Sequence, residues 1–317
     1  MNKYLITGFS GFVSQHFLDF LERNEEKCEV LGLDINPPQF DTAIYRTVHC
    51  SFVELNLLNA EEVKNILLSF KPDYILHLAS YSSVAYSWQQ PVTAFVNNLN
   101  IFLNLVDQVR LLQLTCRILS VGSSEEYGAI HRNELPLREE MKVDPLSPYA
   151  VARVSQEQLS GIYCTGYGLD IVMTRSFNHI GPGQLDKFAI PSFVRKLLAI
   201  QKTGNTFIEV GNIDIVRDFV DVRDVVKAYF LLLKHGERGN IYNVCSGQGY
   251  TLREILSKLM GQLNLSIELR TDPQLVRPSD NDIIIGSYDK IEKAIGWKPT
   301  ITIDDSLSAI INYWAAK

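Results

Sequence analysis

The sequence predicts an α/β fold in which a doubly wound parallel sheet is joined by a smaller, interleaved C-terminal lobe. Three observations lead to this prediction. Apolar runs of strand length alternate with amphipathic helical segments in the first half of the chain, a glycine-rich turn joins the first strand to the first helix, and the alternation breaks down after residue 178. Strands that alternate with helices form parallel sheets with right-handed crossovers and helices on both faces.

The composition is that of a folded protein with a large core. Of the 317 residues, 46% are hydrophobic and 21% are charged, which argues against disorder. The net charge of −6 argues against nucleic acid or an anionic membrane as the main partner. Five cysteines without CxxC spacing predict reduced, buried thiols, and no metal site is expected. The chain enters its first strand at once and contains no apolar run of membrane-spanning length, so we expect a cytoplasmic protein.

The first strand and helix enclose a glycine-rich turn. Residues 3–6 form a short apolar run, and residues 15–21 are apolar at helical spacing. Gly8 permits a tight turn, Gly11 lets the backbone approach a pyrophosphate, and Ser14 replaces the third glycine of the usual dinucleotide-binding pattern. The residues predicted to contact the cofactor here are Gly8, Ser10, Gly11, Phe12 and Val13.

A second apolar strand ends in an acid, Asp34, twenty residues after Ser14. An acid at this position accepts hydrogen bonds from the adenosine ribose and repels a 2′-phosphate, so Asp34 favours NAD over NADP. An ordinary exposed aspartate at a strand end is the alternative. Together with the glycine turn, the acid predicts a Rossmann-like domain. Further cofactor contacts are predicted at strand ends and on a long helix, at Asn56, Leu57, Leu78, Ala79, Ser80, Asn98 and Phe177.

The remaining elements follow in order. In the first half, strands are predicted at residues 52–55, 74–79, 117–121 and 170–175, and helices at 60–70, 91–112 and 148–163. In the second half, strands are predicted at 207–210 and 241–244, and helices at 191–201, 222–234, 251–263 and 304–314. Asp221 is expected to cap the helix that follows it. We expect residues 1–178 and 214–245 to form the NAD-binding domain, and residues 179–213 and 246–317 to form the smaller lobe.

Two segments carry the predicted chemistry. Ser123 and Glu125 follow the fifth strand, and Tyr149 and Arg153 lie four residues apart on one helix, so both point the same way. This combination resembles the extended short-chain dehydrogenase/reductase family. The resemblance implies that Tyr149 is the acid/base, that Ser123 orients the substrate hydroxyl, and that Arg153 occupies the position of a lysine that also holds the nicotinamide ribose.

Arginine at the lysine position is a departure from that family. A phenol, with a reference pKa of about 10, is a poor base at neutral pH unless a fixed cation favours its anion. Arg153 keeps the positive charge but cannot release a proton, so a relay through the lysine amine is lost. A decayed site that binds its ligand without chemistry is the alternative.

Motifs in the second half narrow the resemblance. The segments 177–183, 211–219, 277–280 and 296–299 read FNHIGPG, GNIDIVRDF, RPSD and GWKP. They are similar to the branch that contains GDP-mannose 4,6-dehydratase and GDP-4-keto-6-deoxymannose reductase. The resemblance implies a GDP-linked sugar substrate and a homodimer or homotetramer, with helix 91–112 as a candidate interface. The implied substrate contacts are Ser82, Ser124, Asn178, Val210, Arg217, Arg277 and Asp280.

The reaction within this branch depends on one carboxylate. Glu125 matches the glutamate that removes the C5 proton in GDP-mannose 4,6-dehydratase, and a 4-ketoreductase has no chemical need for it. A dehydratase also returns its hydride to the substrate, so NAD is adequate and Asp34 is consistent with it. The sequence therefore favours a dehydratase over a reductase that makes GDP-rhamnose. A catalytically silent module that binds NAD and a GDP-sugar is a third reading.

Overall fold

Seven parallel strands form the main sheet of the computed structural model, which describes residues 1–275 and 281–317. In chain order, the strands of all the described sheets are β1 (Asn2–Thr7), β2 (Cys28–Asp34), β3 (Val48–Glu54), β4 (Tyr74–His77), β5 (Arg117–Ser123), β6 (Asp170–Ser176), β7 (Asn178–Ile180), β8 (Phe207–Val210), β9 (Val216–Asp221), β10 (Ile241–Val244), β11 (Gly249–Thr251), β12 (Glu268–Thr271) and β13 (Ile283–Ile284). The main sheet has the order β3-β2-β1-β4-β5-β6-β10, and every neighbouring pair is parallel. The order reverses between β1 and β4, which is where open parallel sheets bind ligands.

Helices cover both faces of this sheet, as predicted. They are α1 (Phe12–Arg23), α2 (Ala60–Phe70), α3 (Val84–Gln89), α4 (Pro91–Leu111), α5 (Pro148–Tyr167), α6 (Ala189–Thr203), α7 (Val222–His235), α8 (Leu252–Gln262), α9 (Asp289–Ile295) and α10 (Ile303–Ala315). Buried side chains of α1, α7 and α9 form the core on one face, and those of α2, α4 and α5 form the core on the other. The predicted α/β fold with a doubly wound parallel sheet is therefore confirmed.

The smaller lobe has its own sheets and core. Strands β7, β9, β11 and β13 form one small sheet, with β9 paired to the other three, while β8 and β12 form a two-stranded sheet. Helices α6, α8 and α10 pack around a third core. Strand β9 lies within the segment 214–245, which we assigned to the NAD-binding domain. Within that segment, only α7 and β10 return to the main sheet. The predicted boundary is therefore corrected, because β9 belongs to the smaller lobe.

Among the strands described in the smaller lobe, β8 was predicted, at residues 207–210, and the others were not. Strands β7, β11 and β13 contain two or three residues each, which is too few for a periodic pattern. Strand β3 begins at Val48 rather than at residue 52, because an edge strand exposes alternate side chains, here His49 and Ser51, and they interrupt the apolar run. Asp221 does cap α7, since its Oδ1 accepts a hydrogen bond from the Arg223 N–H.

Two motifs of the second half are explained by packing between the lobes. The buried Asp218 carboxylate accepts hydrogen bonds from Ser246 N at 2.7 Å, Ser246 Oγ at 2.6 Å, Gly247 N at 2.9 Å and Gly286 N at 3.2 Å. Burial raises the pKa of Asp218 to about 6, although these four donors oppose the shift. Strand β9 is thereby tied to the loop that follows β10.

The second packing motif joins the segment before α10 to α7. The buried Trp297 donates from Nε1 to the Asp224 backbone oxygen at 2.9 Å. The Asp224 carboxylate in turn accepts from Thr300 N, Thr300 Oγ1 and Ile301 N, each at 2.8 Å. The GWKP segment thus fixes the entry into α10.

The cysteine side chains were predicted to be reduced and buried. All five cysteines are free, with Cys50 half-buried and the other four buried. Within the two described ranges, no helix combines the length and the apolar character needed to cross a bilayer.

Gly8 makes a close backbone approach at the carboxyl edge of the main sheet. Its φ is +70°, in the left-handed region, and a Cβ placed there would lie 2.8 Å from Ala79 N and 2.9 Å from Leu78 C. These atoms are backbone, so they cannot move aside as a flexible side chain would. Gly8 is therefore required both by its φ and by the neighbouring chain.

We predict that Gly8→Ala destabilises the fold far more than Gly204→Ala. Gly204 also has a positive φ, +72°, but a Cβ there would meet nothing within 4 Å, so it controls for the backbone strain alone. The clash at Gly8 should add about 1–3 kcal/mol to the loss in the free energy of unfolding. Denaturant titration of both variants measures the difference. Equal losses would show that the loop after β4 can move away at no cost.

Candidate active site

The glycine turn presents the start of α1 at the reversal point of the main sheet. Gly11 is the N-cap of α1 and has no side chain to bond the first turn, while its own N–H donates to Gly8 O at 3.1 Å. The free N–H groups of such a turn and the helix dipole attract an anion. Ser14 is buried and donates from Oγ to Gly8 O at 3.2 Å, so a serine fits at the third glycine position.

Asp34 lies at the end of β2 and holds the glycine turn. Its Oδ2 accepts from Ser10 N at 3.0 Å, and its Oδ1 accepts from Ile35 N at 2.7 Å and Asn36 N at 3.3 Å. A carboxylate has about four acceptor sites, so room remains for a ribose hydroxyl. The structural and the cofactor-binding readings of Asp34 are therefore compatible.

The loop after β4 carries an orphaned hydroxyl beside the turn. Ser80 Oγ is buried and has no hydrogen-bond partner among the residues that the structure describes. Such a group in a native protein usually meets water or a ligand. Asn98, on α4, holds this loop, because its Oδ1 accepts from Tyr81 N at 2.8 Å and its Nδ2 donates to Tyr81 O at 3.4 Å. The orphaned hydroxyl and the open helix N-terminus fit a dinucleotide.

Three other residues that were predicted to contact the cofactor have side chains that are buried or that bond elsewhere. Asn56 is exposed and its side chain closes its own turn, and Leu57 is buried. The Phe177 ring is buried against Tyr127 and lies over Gly286, where a Cβ would be 2.5 Å from it. The ring of Phe177 therefore fills the junction between the lobes and leaves its main chain as the part that can face a cofactor.

Strand β5 delivers Ser123 to the same edge. Ser123 Oγ accepts from Glu125 N at 3.2 Å, which leaves the hydroxyl proton available to a substrate oxygen. A 3₁₀ helix over Ser124–Tyr127 follows, with Ser124 buried and Glu125 half-buried. Glu126, which the sequence analysis did not single out, accepts from Ser123 N at 2.6 Å. The Ser-x-x-Glu spacing of a capping box could have identified it.

Glu126 belongs to a buried charge cluster behind Ser123. Arg175 donates from Nε and Nη2 to the two carboxylate oxygens of Glu157, each at 2.8 Å, and its Nε lies 4.0 Å from Glu126 Oε2. Burial, with the negative charge of Glu157, raises the pKa of Glu126, and the positive charge of Arg175 opposes the rise. This cluster supports the 3₁₀ helix from below.

The helix α5 places Tyr149 and Arg153 on one side, as predicted. Their exposed fractions are 7% and 5%. Arg153 donates from Nε to Tyr149 Oη at 3.2 Å, and from Nη1 to Val121 O at 3.0 Å and Gln156 Oε1 at 2.7 Å. Val121 precedes Ser123 by two residues on β5, so one guanidinium connects the predicted acid/base to the strand that carries its hydroxyl partner.

The positive charge of Arg153 has only neutral hydrogen-bond partners within the described ranges. A buried cation is costly unless acceptors or an anion compensate it. Its field reaches the neighbouring strand, since burial and the Arg153 charge lower the pKa of His77 to about 3. A cationic donor at hydrogen-bond distance from a phenol stabilises the phenolate, which suits an acid/base.

The predicted substrate residues are dispersed. Ser82 is exposed in the loop after β4 and Asn178 is exposed at the start of β7, whereas the Val210 side chain is buried in the core of the smaller lobe. Arg217 is buried, and its Nη1 donates to Val216 O at 2.9 Å and Asn281 O at 2.7 Å. Arg277 and Asp280 lie outside the described residues. Ser124 and Val210 thus offer main chain rather than exposed side chains to a ligand.

A cavity of about 550 Å³ lies at the opposite edge of the sheet, lined by residues that include Asp73, Arg117 and Asp170. Arg117 and Asp170 are the first residues of β5 and β6. Parallel strands bind ligands beyond their carboxyl ends, so this cavity is remote from Ser123 and does not compete with the site described above.

Comparison with known proteins places these residues in a family. The sequence profile of the family described as GDP-mannose 4,6 dehydratase matches residues 5–310. A GDP-6-deoxy-D-mannose reductase of Pseudomonas aeruginosa is 33% identical over 316 residues, which cover 99% of this chain and 98% of the relative. A GDP-mannose 4,6-dehydratase of Vibrio cholerae is 26% identical over 354 residues, covering 98% and 93%.

A solved structure has the same fold over the whole chain. The structure of RMD from Pseudomonas aeruginosa, complexed with NADPH, superposes with a TM-score of 0.85 at 32% identity and covers 100% of both chains. Its cofactor is a nicotinamide dinucleotide, the class that the glycine turn and Ser80 fit here.

We predict that this chain binds NADH more tightly than NADPH, because the Asp34 carboxylate is expected to repel a 2′-phosphate. Asp34→Asn keeps an oxygen for the Ser10 N–H while removing the charge, and should narrow the ratio of the two dissociation constants by about tenfold or more. Asp34→Ala should narrow the ratio too, and also weaken both cofactors because the turn loses its acceptor. Isothermal calorimetry with each cofactor measures these constants. Equal affinities in the parent protein would contradict the role of Asp34.

Proposed function

This chain belongs to the GDP-mannose 4,6-dehydratase family, and from that premise we propose that it reduces a GDP-4-keto-6-deoxyhexose at C4. The observation that carries the proposal is the contact of 3.2 Å between Arg153 Nε and Tyr149 Oη, next to the strand that ends in Ser123. These three side chains are sufficient for a reduction, which needs one proton at one oxygen.

Each residue has a defined task in this reaction. A bound nicotinamide cofactor supplies the hydride for C4. Tyr149 gives its phenolic proton to the C4 oxygen, and Ser123 donates a hydrogen bond to the same oxygen. Arg153 stabilises the phenolate that remains. Because a guanidinium keeps its protons, Tyr149 regains its proton by a path that does not use Arg153 as a relay.

The lengths of the alignments support the reductase over the dehydratase. The alignment with the reductase spans 316 residues, and this chain has 317. The alignment with the dehydratase spans 354 residues against the same 317, so at least 37 of its positions have no counterpart in this chain. The alignment with the reductase needs no comparable excess of positions, which supports the proposal of a reductase.

A GDP-sugar 4,6-dehydratase is the second candidate, and Glu125 supports it. Glu125 is the second residue of the 3₁₀ helix that follows Ser123, and it is half-buried. In a dehydratase its carboxylate would remove the C5 proton once C4 is a ketone. The preference for NAD that Asp34 predicts is also natural for an enzyme that returns its hydride to the substrate.

We also propose that the protein is a homo-oligomer that associates through α4 and α5. These helices pack on each other and expose large apolar side chains on their outer sides. The exposed residues are Val92, Val96 and Leu111 of α4, and Val151, Ile162 and Tyr167 of α5. Apolar groups clustered on two adjacent helices are typical of a protein interface.

We predict that the protein oxidises NADH or NADPH when it is given GDP-4-keto-6-deoxymannose. The oxidation is measured as the loss of absorbance of the reduced nicotinamide. GDP-mannose alone should give no 4-keto-6-deoxy product. Tyr149→Phe removes one phenolic oxygen and should lower kcat by about 10²–10⁴-fold while cofactor binding persists. A 4-keto-6-deoxy product formed from GDP-mannose without added cofactor would contradict the reductase and establish the dehydratase.

Glu125→Gln separates the two candidates a second way. If the protein is a reductase, this variant should retain kcat within about threefold, because no proton leaves C5. If it is a dehydratase, loss of the base should lower product formation by about 10²–10⁴-fold. Mass spectrometry of the product formed in heavy water provides the control. Deuterium at C5 in the parent reaction would count against the reductase.

A further inference from the structure

The guanidinium of Arg153 is held by a second side chain on the same helix. Gln156, with an exposed fraction of 2%, accepts from Arg153 Nη1 at 2.7 Å. Its own amide nitrogen donates to Ser120 Oγ at 2.8 Å and to Val121 O at 3.3 Å. Ser120 and Val121 are consecutive residues of β5, three and two positions before Ser123. Gln156 therefore links the cation of the site to the strand that bears the hydroxyl partner.

A guanidinium needs more than one anchor because it is planar. The bond from Nε to Tyr149 Oη fixes one donor, but rotation of the plane about that direction would still move Nη1 and Nη2. The acceptors of Nη1, Val121 O and Gln156 Oε1, remove this freedom. Nη2 makes no hydrogen bond with any residue in the described ranges, so its direction is set by the other two nitrogens.

A lysine amine at the same place would have no such requirement. Its three donors are equivalent by rotation about one bond, and the compact head group has no plane to orient. The contact with Gln156 thus answers a need that arises from arginine at position 153.

We propose that Gln156 is a positioning residue that orients the Arg153 guanidinium, so that Nε stays on Tyr149 and Nη2 faces the nicotinamide ribose. The inference rests on the proposed function of Tyr149 and Arg153, and adds a residue that touches neither substrate nor cofactor. A buried glutamine that merely ties α5 to β5 would make the same contacts with Ser120 and Val121. Coupling to the identity of residue 153 distinguishes the two roles.

The experiment is a double-mutant cycle. Gln156→Met removes the amide with little change in length, and is made in the parent protein and in Arg153→Lys. Tyr163→Phe is the matched control. Tyr163 lies on α5, as Gln156 does, and the substitution deletes its 3.2 Å hydrogen bond to Asp107 of α4, away from Arg153. For each variant, kcat and KM are measured with GDP-4-keto-6-deoxymannose and the reduced cofactor. Binding of NADH and of ADP, which lacks the nicotinamide ribose, is measured by calorimetry.

In the parent background, Gln156→Met should lower kcat by about 10- to 100-fold, as expected for a lost hydrogen bond to a charged group, with KM for the sugar changed less than about threefold. In the Arg153→Lys background the same change should alter kcat by less than about threefold. NADH should bind about tenfold more weakly to Gln156→Met, with ADP unaffected. Tyr163→Phe should leave all of these values unchanged.

Equal losses of kcat in the arginine and lysine backgrounds would overturn the proposal and leave Gln156 a structural tie. So would a parental ratio of NADH to ADP affinity in Gln156→Met. If no sugar is turned over by the parent, or Arg153→Lys is inactive, the binding comparison decides the inference without the reaction. If Gln156→Met does not fold, Ser120→Ala, which removes the hydroxyl that accepts from Gln156, should show the same selective loss for NADH, and unchanged binding there would refute the role.

Discussion

The approach of two backbones at the reversal point of the sheet constrains the whole site. The turns after β1 and β4 pass so close together at Gly8 and Ala79 that no side chain fits between them. This close approach brings the open start of α1 near Ser80. Because β4 pairs with β5, the start of α1 and Ser80 are also near the end of β5. Thr7 and His77, the last residues of β1 and β4, meet at the same level, with Thr7 Oγ1 2.9 Å from His77 Nδ1. A sheet edge assembled this tightly can hold an extended cofactor against several strand ends at once.

Two arrangements of buried charge in this protein differ in what surrounds the charged group. Asp218 and Asp224 are surrounded by donors from distant parts of the chain, so each carboxylate joins segments that would otherwise be independent. Arg153, by contrast, is surrounded by neutral acceptors. Carboxylates satisfied by many N–H groups fix a fold, whereas a cation without a matching anion is poised to favour the anion that a reaction creates. The lobes are held together by the first kind, and the chemistry is assigned to the second.

The sequence was sufficient to predict a parallel main sheet, because buried parallel strands are continuous apolar runs that alternate with helices. The order of the strands was not predicted, since handedness alone leaves several orders possible. The placement of Tyr149 and Arg153 on one side of a helix was also predicted, because their spacing is four residues, and Ser123 lies at the predicted strand end. Gln156 was not singled out, because nothing in a single sequence says that a buried amide faces a particular neighbour. Glu126 was overlooked, although its Ser-x-x-Glu spacing is that of a capping box. The smaller lobe was predicted only in outline, since its short strands depend on tertiary pairing. Asp218 and Trp297 lie in motifs that carried the family resemblance, and the structure gives both of them packing partners between distant segments.

The double engagement of Asp34 bears on how such a protein can change over evolutionary time. One carboxylate both supports the glycine turn through Ser10 and presents a charge where cofactors differ. A single substitution that removed both the acceptor for Ser10 and the charge would loosen the glycine turn in the same step that altered the preference between NAD and NADP. The accessible mutational route therefore passes through residues that retain a side-chain oxygen, such as asparagine, serine or threonine. Lineages that switched cofactor should carry one of these at the position, or a new acceptor for the Ser10 N–H elsewhere.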